Sequence, residues 1–215
     1  MFVLHVASLV VAVIHRAQIT PTKAELIAGW LPSRPWSGGA AEPLEALGAY
    51  RFDDPAGEVG IETHLVRTAE GAVFQVPLTY RGDPLAGADR HLVGTMEHTH
   101  LGRRWVYDGC GDPVYVTALT MAIRTGGREA EEWVETGGAP VRRAATAQVV
   151  GSGAPGSAAP VIEAVEPVDD SATTTVPGLV VLRRVGHVVS PGGAETLTGT
   201  WSGQVEPALL AYLPR

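Results

Sequence analysis

Residues 76–113 read VPLTYRGDPLAGADRHLVGTMEHTHLGRRWVYDGCGDP, and this stretch decides the fold. It contains aromatic strand patterns joined through a dense cluster of Arg, His, Asp and Glu. The turn sequences GDPLAG at 82–87 and DGCGDP at 108–113 fix the backbone at both ends. Polar side chains held between strands in this way form either a binding surface or the charged outer face of a well-packed sheet.

Outward from this stretch, period-two patterns and turn residues predict an antiparallel sheet. A meander is predicted over 44–81, with strands at 46–52, 59–67 and 73–80, and a hairpin follows with strands at 92–98 and 103–107. Their short connections require antiparallel neighbours. Pro77 has no N–H group for a ladder, so it predicts that strand 73–80 lies at a sheet edge or carries a bulge.

Two helices flank the predicted meander. Thr22 and Glu25 have the spacing of a capping box, which predicts a helix over 20–31 that ends at Pro32. Asp112 is the predicted N-cap of a second helix, with Pro113 as its first residue and a Gly126-Gly127 stop. The fold class is therefore α+β, a curved antiparallel sheet with flanking helices.

The remaining segments suggest how the chain is divided. The acidic segment 129–135 is a short helical or exposed piece, and the Gly, Ser, Ala and Pro residues of 150–160 predict a flexible linker. We expect an N-terminal extension at residues 1–12 and an α+β domain at 13–149. After the linker at 150–160, a C-terminal β segment at 161–215 completes the same domain. The last segment has strand patterns at 179–185, 195–201 and 208–213.

The apolar run at residues 1–14 is shorter than the roughly 20 residues that cross a bilayer, and no basic residue precedes it. Translation from Val11 would remove most of it. The formal charge of −7 and the absence of long basic runs exclude nucleic acid and anionic membrane as main partners. The single cysteine, Cys110, excludes an intrachain disulfide and fits a reducing cytoplasm.

Several catalytic motifs are missing from the sequence. It contains no GxxxxGK[ST] phosphate loop and no GxSxG elbow, and without any asparagine it cannot assemble the metal-binding catalytic loop of a protein kinase. Residues 96–100, MEHTH, are the only metal-like cluster, but zinc-ligand spacing is missing. We therefore expect no catalytic residues, no metal and no cofactor.

The candidate binding surface consists of polar residues on and beside the strands of the opening stretch: Arg81, His98, His100, Arg103, Arg104 and Asp108. On strand 103–107, alternation places Trp105 and Tyr107 on one face and Arg104 and Asp108 on the other. We expect Trp105 and Tyr107 to pack in the core beside Tyr80, which leaves Arg104 and Asp108 available to solvent or a partner.

Three sequence blocks in this order resemble the N-terminal cap domain of actinobacterial maltokinases: WLPSRPW at 30–36, VPLTYRGDPL at 76–85 and GRRWVYDGCGDPV at 102–114. The resemblance covers about residues 13–126, and the chain is most similar to small stand-alone relatives that carry the label 1,4-α-glucan branching protein. It implies a cystatin-like curved sheet. The kinase lobes are missing, so kinase activity does not carry over, and the chain is too short for the (β/α)₈ barrel of a branching enzyme.

The resemblance leads us to expect a non-catalytic binding or regulatory module in sugar or α-glucan metabolism. Its partner would be a sugar kinase, another glucan-metabolism protein or a saccharide. The alternative is an enzyme or enzyme subunit that acts on α-glucans or sugar phosphates. A binding module should bind its partner without turnover. An enzyme should show turnover that depends on the side chains of this chain.

Overall fold

The computed structural model describes residues 13–14, 18–40, 42–134, 141–158 and 160–215. Most of these residues belong to antiparallel strands, and the described part contains two α-helices, so the fold is α+β as predicted. The expected N-terminal extension, residues 1–12, lies outside the described residues. None of the helices in the described ranges is long and apolar enough to cross a membrane.

Helices α1 (Lys23–Trp30) and α2 (Pro113–Thr125) begin at the predicted caps. The Thr22 N–H group donates to Glu25 Oε2 at 2.7 Å and the Thr22 hydroxyl accepts from the Glu25 N–H at 3.2 Å, so the capping box is confirmed. The Asp112 carboxylate accepts from the Val114 N–H at 3.0 Å. Helix α2 ends at Gly126, whose φ of 68° suits a residue without Cβ.

The first sheet has the strand order β2, β6, β7, β5, β4, β3, and all of these neighbours are antiparallel. The strands are β2 (Ile19–Thr20), β3 (Leu44–Phe52), β4 (Gly60–Thr68), β5 (Val73–Arg81), β6 (Leu92–His98) and β7 (Gly102–Asp108). The predicted meander of β3, β4 and β5 and the predicted β6–β7 hairpin are confirmed, with strand ends that differ by one or two residues. The hairpin joins the meander through β7, which pairs with β5.

The second sheet has the order β10, β15, β16, β13, β12, β11 and is also antiparallel. Its strands are β10 (Ala147–Gly151), β11 (Val168–Asp169), β12 (Thr173–Val176), β13 (Leu179–Leu182), β15 (Glu195–Trp201) and β16 (Gln204–Leu213). Strand β14 (Arg184–Val185) follows β13 in the chain and pairs with β5 of the first sheet. The chain therefore links the two sheets through β14.

Each face of the first sheet has its own hydrophobic cover. On one face, α1 and the two 3₁₀ turns after it (Leu31–Ser33 and Pro35–Ser37) bury Trp30 and Trp36 against Phe74 and Val76. On the opposite face, α2 and the second sheet share a core with β3 and β4. We call the first of these the helix-covered face.

A small third sheet contains the acidic segment that we predicted to be helical or exposed. Strand β8 (Glu132–Val134) pairs in parallel with β1 (Val13–Ile14) and antiparallel with β9 (Val141–Arg143). The helical alternative for this segment is therefore wrong. Glu132 is buried and its carboxylate lies 3.2 Å from Arg143 Nε, so cross-strand charge pairing stabilises the extended form.

Pro77 lies on an inner strand whose pairing with β4 has no register shift, so both predicted alternatives, an edge strand and a bulge, are wrong. On one side β5 pairs with β4 along its length. On the other side β5 has two successive neighbours: Val73 and Phe74 pair with β14, and residues 78–81 pair with β7. Pro77 falls in the gap between these two neighbours, where no ladder requires its missing N–H.

Part of the predicted linker is fixed against helix α2. Val150 and Gly151 belong to β10, and the Gly153 N–H donates to the Ile123 carbonyl at 2.9 Å. A Cβ at Gly153 would lie 2.0 Å from the Arg124 carbonyl oxygen, so this close approach requires glycine. The expected flexibility is therefore wrong for 150–153, because glycines at these positions serve packing.

Candidate functional site

Arg81, a predicted surface residue, holds the start of helix α2. Its guanidinium donates two hydrogen bonds of 2.7 Å to the Asp112 carboxylate, and the Thr79 hydroxyl donates a third of 2.7 Å. The hydrogen bonds that Arg81 donates to Asp112 raise the pKa of Arg81. Because Asp112 is fully buried and is also the N-cap of α2, the contacts of Arg81 serve the fold.

Asp108 is buried, so its predicted availability to solvent or a partner is wrong. The Arg183 Nη2 donates to both carboxylate oxygens of Asp108, at 2.5 and 2.6 Å. Arg183 is fully buried and its guanidinium carbon lies 4.9 Å from the ring centroid of Trp36. Burial alone would lower the pKa of Arg183, but the charge of Asp108 raises it overall, so Arg183 stays protonated.

The facing of β7 also differs from the prediction. Alternation holds, but Val106, opposite Tyr80 in the β5–β7 pairing, points into the helix-covered core, while Trp105 is only half-buried. Tyr107 is buried as expected, and its hydroxyl accepts from the Leu85 N–H at 2.9 Å. The face of β7 that carries Trp105 and Tyr107 is therefore covered by the loop that contains Leu85, where we expected the hydrophobic core.

The other four predicted surface residues lie together at the β6–β7 hairpin, and we call them the hairpin surface: His98, His100, Arg103 and Arg104. The His98 Nδ1 accepts from the N–H groups of His100 and Leu101, at 3.2 and 3.1 Å, which orders the turn. Arg104 Nη2 donates to the Leu101 carbonyl at 2.6 Å. Arg103 is exposed and its Nε donates to Glu97 at 2.8 Å.

A second polar group, which the sequence did not predict, lies on the helix-covered face beside α1. Glu62 forms an ion pair with Lys23, the only lysine of the chain and the first residue of α1. The His64 Nε2 lies 3.5 Å from Glu62 Oε2 and 3.2 Å from the Tyr80 hydroxyl. Lys23 Nζ lies 5.2 Å from the Tyr80 ring centroid, so one ammonium contacts both a carboxylate and an aromatic ring.

The charges of this group are strongly coupled. Burial would raise the pKa of Glu62, but the hydrogen bond from His64 and the charges of His64 and Lys23 hold it well below its usual range. Burial and the nearby Glu62 carboxylate raise the pKa of Tyr80 well above its usual value. Glu62 is therefore a carboxylate and Tyr80 a neutral phenol at physiological pH.

Two residues of the hairpin surface, His98 and Arg104, lie on the same face of the sheet as the Glu62 group. Arg104 is opposite the core residue Met96, and His98 follows Met96 by two positions, so both point to the helix-covered side. Burial lowers the pKa of His98, as do the charges of His100, Arg104 and Lys23. We call this surface the polar face and define it by six residues: Lys23, Glu62, His64, Tyr80, His98 and Arg104.

The polar face carries both hydrogen-bond donors and acceptors. Its ammonium, guanidinium and imidazole groups donate hydrogen bonds, and the Glu62 carboxylate accepts them. In the described part of the chain, no three His, Cys, Asp or Glu residues are arranged to hold a metal ion. Burial raises the pKa of the Cys110 thiol, so this cysteine is not an activated nucleophile.

Residues 30–112 match the family model of the maltokinase N-terminal cap domain. This part of the chain is similar to that cap domain, so the predicted resemblance is confirmed. The matched range contains strands β3 to β7 with Trp36 and Asp108. Among the curated proteins compared with the chain, none is significantly similar to it.

Lys23 and Arg183 lie outside the matched range and form ion pairs with buried or half-buried residues inside it. Lys23 precedes it and pairs with Glu62, and Arg183 follows it and pairs with Asp108. Glu62, His64 and Tyr80 could have been grouped from the sequence, since β4 alternation places the first two on one face. No sequence pattern points to Lys23 or Arg183 as partners, because both contacts are formed by tertiary packing.

Proposed function

We infer that this chain is a non-catalytic binding or regulatory module associated with sugar or α-glucan metabolism. The match of residues 30–112 to the maltokinase N-terminal cap domain carries the proposal. The contact surface that we assign to the module is the hairpin surface together with the exposed part of the polar face.

The arrangement of the polar groups supports binding as the role. A saccharide presents many hydroxyl groups, and a surface of guanidinium, imidazole and carboxylate groups can both donate to and accept from them. Arg103 and its partner Glu97 are each about 60% exposed, so their hydrogen-bonding groups are open to a ligand at little cost in protein stability.

Calorimetric titration with maltoheptaose tests the proposed ligand class. We expect binding by the natural chain, weaker binding by Arg103→Ala, and unchanged binding by Arg142→Ala. Arg142 is a matched control, because it has similar exposure and also pairs with one exposed glutamate. Equal titration curves for the three proteins would contradict a saccharide at the hairpin surface.

A radiolabelled phosphate transfer assay tests the non-catalytic role. The purified chain, given ATP, Mg²⁺ and maltose, should neither hydrolyse ATP nor label the sugar. Turnover that is abolished by a substitution in this chain would show instead that it is an enzyme or an enzyme subunit.

A further inference from the structure

A cleft of about 760 Å³ lies on the opposite end of the first sheet from the hairpin surface, between the β4–β5 turn and the segment that follows β13. Its volume falls in the range of small-molecule sites. Glu70 and Val73 line one wall, Ser171 lines another, and Arg184, Val185 and His187 line a third.

The backbone directs Arg184 into this cleft. The N–H groups of Arg183 and Arg184 both donate to the Ala172 carbonyl, at 2.8 and 2.9 Å. Arg183 is buried against Asp108, whereas Arg184 is exposed. Within the described part of the chain, the Arg184 guanidinium has no hydrogen bond or ion pair, although the protein carries a net charge of −7. A free guanidinium in an acidic protein is an available anion ligand.

A β-turn brings a second donor to the same place. The His187 N–H donates to the Arg184 carbonyl at 3.3 Å, and Gly186 has the positive φ of 86° that a type II turn requires at this position. The first and last residues of a β-turn have Cα atoms within about 7 Å of each other. Arg184 and His187 can therefore contact one small group together.

The acidic groups near the cleft limit the kind of ligand. Asp170 interacts electrostatically with His187, but its carboxylate is occupied by the N–H groups of Ala172 and Thr173, at 2.7 and 2.8 Å. Glu70 is the acidic residue of the cleft lining. Its carboxylate would repel a second anionic group but would accept hydrogen bonds from hydroxyl groups.

We propose that this cleft binds a small hydroxylated molecule through one phosphate or carboxylate group. The planar fork of Arg184 binds two oxygens of that group, and His187 and the Ser171 hydroxyl donate to it. Glu70 accepts from the hydroxyl groups of the ligand, and Val73 and Val185 contact its carbon skeleton. This site is separate from the hairpin surface and does not depend on the function proposed there.

Calorimetry at low salt with glucose 6-phosphate, gluconate and glucose tests the proposal. Glucose 6-phosphate, gluconate or both should bind, and glucose should not. The anion that binds shows whether the cleft takes a phosphate or a carboxylate group. Arg184→Gln should weaken that binding at least about tenfold, because a charge-assisted hydrogen bond is lost. Arg90→Gln is the control, since Arg90 is an exposed arginine outside the cleft.

Thermal midpoints show whether each variant is folded. If Arg184→Gln lowers the midpoint, His187→Gln replaces it and should also weaken anion binding. Three results would overturn the proposal. Neither anion binds, or the folded Arg184→Gln or His187→Gln variant binds as tightly as the natural chain, or glucose binds as tightly as the anions.

Discussion

The ion pair between Arg183 and Asp108 connects the ends of two strands that share one edge of β5. The carbonyl of Arg183 accepts from Gln75 N–H at 2.8 Å, and Asp108 is the ladder partner of Leu78. The pair therefore lies along the part of β5 that contains Pro77, where neither β14 nor β7 provides a ladder. A buried ion pair takes the place of strand pairing at this break.

Removal of one member of this pair should strongly destabilise the protein. Arg183→Met leaves the Asp108 carboxylate buried without its partner, and we expect a loss of about 3–5 kcal/mol in the free energy of unfolding. Urea unfolding measures it. The double variant Arg183→Met, Asp108→Leu should recover part of the loss, because it leaves no buried charge. A double variant as unstable as the sum of the two single variants would contradict this account.

The two N-caps should differ in their contribution to stability. Thr22→Ala removes an exposed cap and should cost about 0.5–2 kcal/mol. Asp112→Ala removes a cap and also the buried partner of Arg81 and Thr79, so we expect a loss above about 3 kcal/mol. Urea unfolding of both variants provides the comparison, and equal losses would show that the Arg81 contacts contribute little.

Glu62 should make the stability depend on pH. Its pKa is lowered in the folded protein from a usual value of 4.5, so its contribution is complete above that value and is lost as the pH falls below it. The stability advantage of the natural chain over Glu62→Gln should therefore shrink between pH 6 and pH 3. Urea unfolding across this range measures it, with the exposed Glu97→Gln as control. A constant difference would show that Glu62 is not held ionised by its neighbours.

Two tryptophans of the range that matches the cap domain should respond differently to truncation. Trp36 is 1% exposed and packs between Phe74 and Arg183, so Trp36→Ala should cost about 3–5 kcal/mol. Trp105 is half-buried, and Trp105→Ala should cost less. Thermal and urea unfolding rank the two variants, and a larger loss at Trp105 would show that the facing predicted from the sequence describes the protein better.

Local patterns predicted most of the fold. The capping box at Thr22, the Asp112 cap and the meander strands depend on near neighbours, which a sequence displays directly. Tertiary contacts caused the errors. Pro77 predicts an edge strand or a bulge, because the sequence does not show that β5 changes neighbours at this residue. The sequence predicts Trp105 in the core, because alternation along β7 separates two faces but does not show which face packs in the core and which lies under the loop around Leu85.

The candidate site was predicted only in part for the same reason. His98, His100, Arg103 and Arg104 are close in sequence and lie together at one hairpin. Lys23 and Glu62 are 39 residues apart, and Asp108 and Arg183 are 75 residues apart. No local pattern links residues at such separations, so the Glu62 group was missed and Asp108 was assigned to the surface.

The separation of Asp108 and Arg183 in the chain also determines when the open edge of β5 can close during synthesis. A ribosome makes the Asp108 carboxylate and the Trp36 ring well before the arginine that contacts both. Until then Asp108 has no partner at the strand edge next to Pro77. The fold is completed later still, since the Gln75 side chain also donates to the Leu210 carbonyl, 135 residues further along the chain.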